Sequence, residues 1–211
     1  MSRILTLSVR CAVCGQTSEQ TVTASRYVPD HGLDGKPAGN APGMPVMECP
    51  HCHHAAADLA DPVPETVRTY VYSDGYRHWY AAQTDPILRQ LEGAALIAAQ
   101  TDLVTAARWH LAAAWYCENH AMPDRAEQNR RQYLEMTLAS GCKLTPDGML
   151  PYLDSLRLLG RFEEARALAG QLQPAFARLF EEQDIHRKIL QLELHLIESG
   201  DAAPHMVSEV M

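Results

Sequence analysis

Two pairs of closely spaced cysteines place the strongest constraint on how this chain folds. Cys11 and Cys14 belong to the stretch "CAVCG", Cys49 and Cys52 belong to "ECPHCHH", and 34 residues separate the two pairs. Each pair can wrap two thiolates around one side of a metal ion, and two such pairs complete a tetrahedral shell of four sulfurs. Thiolates in this geometry select zinc, with iron as the usual competitor. We therefore predict one zinc ion, held by all four cysteines in a zinc ribbon.

The separation of the two pairs is wider than the roughly 15–20 residues of the common pattern. Residues 29–45, "PDHGLDGKPAGNAPGMP", are rich in glycine and proline and predict a surface loop within the ribbon. A doubled gap costs only about 0.6 kcal/mol of loop-closure entropy, whereas zinc binding contributes about 10–16 kcal/mol. The long insertion is therefore compatible with a ribbon.

Other roles for these residues remain open at this point. A redox or disulfide function would need one reactive CxxC pair beside a βαβ unit, and here two pairs lie on a strand-rich segment. One of His51, His53 and His54 is an alternative ligand in place of a cysteine. If four thiolates bind the ion, no coordination position stays open, and the zinc is structural rather than catalytic. We interpret Cys117 and Cys142 as small buried residues.

The chain changes character near residue 60, which predicts an α+β, mostly α, fold class. The stretches "RILTLSV" and "EQTVTAS" have the alternation and β-branched content of short strands. We assign residues 1–60 to the ribbon, 61–84 to a linker of uncertain structure, 85–200 to a helical domain and 201–211 to a flexible tail. Asp85 with Pro86 predicts a helix start, and six or so helices with tight turns predict an antiparallel array.

One stretch of the helical region matches half of a tetratricopeptide unit. In "LGRFEEARAL", Gly160 permits a turn, Phe162 packs between the two helices of the unit and Ala165 allows the helices to approach closely. We therefore predict tetratricopeptide-like packing, with an unrelated helical bundle as the alternative because the same pattern satisfies both.

Charge and motifs narrow the classes of function. The net charge is −8, and residues 1–60 carry four basic and five acidic residues, so no basic footprint for nucleic acid or anionic lipid is present. No apolar run reaches the roughly 18 residues of a membrane helix, and the first residues lack the apolar core of a secretory signal, which together predict a cytoplasmic protein. We find no nucleophile elbow or phosphate loop, and we interpret His110, His186 and His195 as ordinary hydrogen-bonded residues.

We therefore predict a non-enzymatic protein-interaction or adaptor module. Residues 85–198 are expected to recognise a protein segment that is neutral or basic, with the ribbon extending or orienting that surface. The alternative is a zinc-ribbon protein that binds nucleic acid or is associated with transcription.

The stretches "CAVCG", "MPVMECPHCHHAAADL", "RWHLAAAWYCENH" and "LPYLDSLRLLGRFEEARAL" occur in an order that resembles a bacterial family, domain of unknown function 2225. The resemblance covers residues 4–195 and implies a zinc-ribbon head on a tetratricopeptide-like body, with Cys11, Cys14, Cys49 and Cys52 as ligands. The family pattern for the second knuckle is CPxCG, and His53 stands here at the glycine position. Because that glycine commonly has a positive φ, we expect His53 near the left-handed region and outside the ligand set.

Overall fold

The computed structural model of the chain describes residues 3–25, 27–39 and 45–211. It confirms the predicted fold class, because about 56% of the chain is helical and a few short antiparallel strands lie near the N-terminus. The chain divides into two compact units, Met1–Tyr27 with Pro42–Gly141 and Val28–Ala41 with Cys142–Met211. Among the described residues, no helix combines the length and the apolar composition that a membrane span requires.

Four strands form two small antiparallel pairs in the first unit. Strands β1 (Arg3–Arg10) and β2 (Thr17–Ser25) make a hairpin in which Arg10 pairs with Thr17. Strands β3 (Met47–Glu48) and β4 (Ala55–Ala56) flank the second cysteine pair. Both predicted strands are confirmed.

Five α-helices complete the described part of the first unit. They are α1 (Glu65–Val71), α2 (Asp74–Ala82), α3 (Pro86–Ala98), α4 (Leu103–Asn119) and α5 (Pro123–Ala139). Asp85 caps α3 by accepting bonds from the backbone N–H groups of Ile87 and Leu88, as predicted, and Asp102 caps α4 in the same way. These caps satisfy donors that have no partner inside the helix.

The ribbon and these helices share one apolar core. Cys11, Cys49 and Leu59 are fully buried or nearly so, and they belong to the same cluster of contacts as Val67 of α1 and Trp109 of α4. The first unit therefore has no boundary at residue 60 or 85, because it includes most of the predicted ribbon and the first three helices of the predicted helical domain. Residues 61–84, predicted as a linker of uncertain structure, contain α1 and α2, which form there because their apolar faces are buried in this core.

Among its described residues, the second unit contains three α-helices, α6 (Leu150–Leu158), α7 (Phe162–Leu179) and α8 (Ile185–Ser199). Gly160 and Gly200 end α6 and α8 with φ values of 68° and 69°, which glycine adopts without strain. Helix α7 continues through Pro174 to Leu179, and one further helix, α8, begins and ends between Pro174 and Gly200. With α3, α4 and α5, six helices span residues 85–200, as expected.

Residues near the C-terminus pair with the glycine-rich segment. Gly32 forms a bridge with Met206, and the backbone N–H of Val207 donates to the carbonyl of His31 at 2.8 Å. A short 3₁₀ helix, Val207–Val210, follows. The predicted flexible tail at 201–211 is therefore hydrogen-bonded. The predicted surface loop at 29–45 includes one buried residue, Leu33. Residues 40–44 of that loop lie outside the described residues, as do residues 1, 2 and 26 of the predicted ribbon.

The second unit contains a buried arginine, Arg157, that contacts α6, α8 and the C-terminal segment. Arg157 is fully buried and donates to Asp154, to Glu193 and to the backbone carbonyls of Asp201 and Ala203. Burial and the nearby charge of Asp154 raise the pKa of Glu193 to about 10, although Arg157 opposes the shift. The raised pKa favours the protonated form of Glu193, in which one guanidinium faces one carboxylate rather than two.

Candidate metal centre

Two turns of matching geometry present the four cysteines. After β1, the N–H of Gly15 donates to the carbonyl of Cys11 at 2.8 Å; between β3 and β4, the N–H of His53 donates to the carbonyl of Cys49 at 2.9 Å. The closing residues have positive φ, 75° at Gly15 and 64° at His53. The local sequence builds these turns because each CxxC pair is followed by a residue that tolerates the left-handed conformation.

The four sulfur atoms converge on one point. Sγ of Cys11 lies 3.7 Å from Sγ of Cys52, Sγ of Cys14 lies 3.6 Å from Sγ of Cys49, and all four sulfurs lie within 4.8 Å of one another. A tetrahedral site with metal–sulfur bonds of about 2.3 Å places its sulfurs about 3.8 Å apart. The residues present therefore fit a single four-coordinate metal ion, and the four predicted ligands are brought together.

The surroundings of the cluster shift the pKa values of Cys11, Cys14 and Cys52. Burial raises the pKa of the Cys11 thiol, although the backbone N–H groups of Cys14 and Val13 oppose it. Burial also raises the pKa of Cys52, and the neighbouring sulfurs of Cys11 and Cys49 raise it further. Cys14 is the exception: burial raises its pKa, but hydrogen bonds from Gln16 and from the other thiols lower it more. Four thiolates at this spacing repel one another, so a bound divalent ion is what would keep them deprotonated.

The three neighbouring histidines lie outside the cluster of four sulfurs. His51 is exposed. His54 is buried, and its Nδ1 lies 3.8 Å from Sγ of Cys11; burial, with a smaller effect of Arg68, lowers its pKa to about 4. A neutral His54 can donate to a metal-bound thiolate, which is a supporting role rather than a ligand role.

His53 has the predicted conformation, and it also makes a contact that the sequence did not indicate. Its φ of 64° confirms the left-handed expectation. Its ring stacks on Tyr80 of α2, with ring centroids 3.8 Å apart and an interplanar angle of 20°. The hydroxyl of Tyr76 donates to the His53 carbonyl at 2.6 Å, and Arg68 of α1 donates to the Val13 carbonyl at 2.7 Å. These hydrogen bonds from α1 and α2 stabilise the two turns that carry the cysteine pairs.

The two remaining cysteines differ from each other. Cys117 is buried in α4, as predicted, and burial raises its pKa to about 12. Cys142 is exposed, so the interpretation of this residue as a small buried one is wrong. It follows the end of α5, where the chain leaves the core of the first unit.

A groove of about 420 Å³ lies beside the second turn, in the first unit. His54 and Ala55 are among the lining residues, and the rest of the lining is mostly apolar, with three carboxylates and two threonines, Thr101 and Thr105. The apolar residues include Val63, Val67, Ile97 and Trp109, and the acidic residues are Asp58, Asp61 and Asp102. Sequence reasoning missed this feature, because it depends on packing between the ribbon and helices α1, α3 and α4.

Comparison of the chain with protein-family models, with curated proteins and with solved structures found no match. The resemblance to the family described above and the tetratricopeptide-like packing therefore stay predictions.

Proposed function

We propose that the four cysteines hold one structural zinc ion and that the chain is a non-enzymatic protein-interaction module. Zinc is favoured among soft metals because it accepts a tetrahedral set of four thiolates without redox chemistry. A complete shell of four sulfurs has no position for a reactive water, so the metal's contribution is to the fold.

The observation that carries the interaction proposal is the groove beside the second turn. Its walls are apolar, its acidic residues are Asp58, Asp61 and Asp102, and no lysine or arginine is among the described residues that line it. Asp58, Asp61 and Asp102 are exposed, and their charges face solvent although Asp58 and Asp102 also accept hydrogen bonds from nearby backbone N–H groups. This combination favours a protein segment that inserts an apolar side chain and carries a lysine or arginine next to it.

The zinc ion is linked to this surface through the second turn. His54 and Ala55 come two and three residues after Cys52, and both line the groove. Loss of zinc would remove the constraint on that turn, and His54 and Ala55 would no longer be held in the lining of the groove. Binding of the segment is therefore expected to require the metal.

A peptide-display experiment tests the proposal. Random peptides selected on the zinc-loaded chain should be enriched in an apolar residue flanked by lysine or arginine. The change Asp61→Lys should weaken the selected peptides about tenfold, because it places a cation where a cation binds. Glu182→Lys makes the same change of charge at an exposed residue of the second unit and should leave binding unchanged.

Two results would count against this function. Selection of no peptide class, together with retention of duplex DNA or RNA at physiological salt, would favour the nucleic-acid alternative. Peptides that bind equally well after zinc removal would show that the ribbon does not shape the recognition surface.

A further inference from the structure

The C-terminal segment (residues 201–210) and the glycine-rich segment (residues 30–36) are paired by backbone hydrogen bonds, and both belong to the second unit. The N–H of Leu33 donates to the carbonyl of His205 at 3.2 Å, and the N–H of Val207 donates back to the glycine-rich segment at 2.8 Å. These bonds require that the backbone around His205 keep one conformation.

Both ring nitrogens of His205 face a carboxylate. Nδ1 lies 2.8 Å from Oε2 of Glu209 in the 3₁₀ helix, and Nε2 lies 3.2 Å from Oδ2 of Asp201, which comes shortly after the end of α8. A carboxylate only accepts hydrogen bonds, so both nitrogens can be bonded at once only when each carries a proton. As an imidazolium, His205 therefore joins the two ends of the C-terminal segment.

A neutral ring cannot make both contacts, because it has one N–H group and one lone pair. When His205 loses a proton, one of its nitrogens directs a lone pair at a carboxylate, and an attraction becomes a repulsion. The side chain of His205 is 20% exposed, whereas those of Asp201 and Glu209 are 37% and 43% exposed. Solvent therefore screens these charges in part, and the expected effect is a loosening of the segment rather than its unfolding.

The carboxylates keep their charge over the pH range in which the ring titrates. Burial lowers the pKa of His205, but the contacts with Glu209 and Asp201 raise it more, and it lies above the ordinary 6.5 although Arg157 opposes the rise. Hydrogen bonds from backbone N–H groups, followed by the contact with His205, lower the pKa values of Asp201 and Glu209. The stability that His205 contributes is thus complete below pH 6.5 and is lost as the pH rises through the raised value.

Other ionisable groups lie on the elements that surround this contact. Helix α6 contributes Arg157, which donates to the backbone carbonyl of Asp201, and α8 contributes the buried Glu193, which has a pH dependence of its own. The glycine-rich segment carries Asp30, His31, Asp34 and Lys36. A test of His205 must therefore separate its effect from those of Glu193 and His31.

We propose that His205 acts as a pH-sensitive switch: its protonated ring holds residues 201–210 in the conformation that pairs with residues 30–36, and its deprotonation loosens that pairing. The switch has no residue in common with the metal centre or the groove. Its operation is therefore independent of the function proposed above.

The test measures hydrogen exchange of the full zinc-loaded chain at pH 5 and pH 8, with rates corrected for the pH dependence of exchange itself. The protection of the Leu33 and Val207 amides should be roughly twofold to tenfold lower at pH 8, the size expected for one or two partly exposed charge pairs. The amides of α8 provide the internal reference, because they report the effect of Glu193. The decrease at Leu33 and Val207 should exceed theirs, and an NMR titration should place the pKa of the His205 ring above 6.5.

Two variants assign the effect to the proposed contacts. His205→Gln is neutral at both pH values, so the decrease in protection should fall to that of the α8 amides. Glu209→Gln keeps an oxygen for the N–H of Met206 but removes the charge that faces the ring. It should lower the pKa of His205 and reduce the decrease in protection.

His31→Gln is the matched control, because it makes the same exchange at an exposed histidine whose backbone carbonyl accepts the bond from Val207. It should keep the pH dependence of the wild type. The proposal is overturned if the ring of His205 titrates at or below pH 6.5, or if His205→Gln keeps the full decrease in protection. It is also overturned if His31→Gln abolishes that decrease.

Discussion

His53 allows a direct test of how the turn that carries Cys49 and Cys52 is stabilised, because its side chain is subject to two opposing effects. Its φ of 64° strains any residue other than glycine, whereas its ring gains a stacking contact with Tyr80. The left-handed conformation costs a side-chain-bearing residue about 1–2 kcal/mol. The stacking contact contributes about 0.5–1.5 kcal/mol.

Two substitutions separate these effects. His53→Ala keeps the backbone strain and loses the stack, so it should lower the free energy of unfolding of the ribbon by about 1 kcal/mol. His53→Gly also loses the stack but relieves the strain, while glycine adds about 0.5–1 kcal/mol of entropy to the unfolded chain. The three terms nearly cancel, and His53→Gly should lie within about 0.5 kcal/mol of the wild type.

Urea unfolding of the cobalt-substituted protein is the appropriate assay, because the thiolate-to-cobalt absorption reports directly on the four-sulfur site. Both variants should bind one metal ion per chain. A glycine variant that is as unstable as the alanine variant would refute the strain argument. A large loss of metal affinity in both would show that His53 is a ligand.

Two further predictions concern buried hydrogen bonds. Tyr76→Phe removes the bond to the His53 carbonyl and should destabilise the ribbon by about 1–2 kcal/mol, measured by the same cobalt absorption, with the metal content unchanged. Glu193 has a folded pKa of about 10 against an ordinary 4.5, so the stability that it contributes is present at low pH and is lost as the pH rises between these values. Glu193→Gln should remove this loss, and hydrogen exchange of α8 at pH 5, 7 and 9 would detect it; an equal pH dependence in both proteins would contradict the assignment.

The sequence was informative where one local signal decided the structure. The two CxxC spacings predicted which sulfurs would meet, since ligand type and spacing are local properties. Asp85 was identified as a helix cap, and the left-handed conformation at His53 followed from its position after the second cysteine pair. Each of these predictions depended on a few adjacent residues.

The sequence was less informative where structure depends on distant partners. Residues 61–84 form helices because Val67 and Tyr76 are buried in a core shared with the ribbon, and no local pattern revealed that core. The pairing of Gly32 with Met206 joins residues far apart in the chain. Likewise, His110 is hydrogen-bonded as expected, but nothing in its own helix indicated that its partner would be Asn129 of α5, which also donates to Glu92 of α3.

The metal content of the native protein tests the central claim most directly. Protein purified without a histidine tag should contain one zinc ion per chain, and X-ray absorption should find four sulfur neighbours at about 2.3 Å. Cys52→Ser should lose the metal, whereas Cys142→Ser, which alters an exposed cysteine outside the cluster, should keep it. Zinc-free protein with the four cysteines joined in disulfides, or a nitrogen ligand in place of one sulfur, would contradict the account.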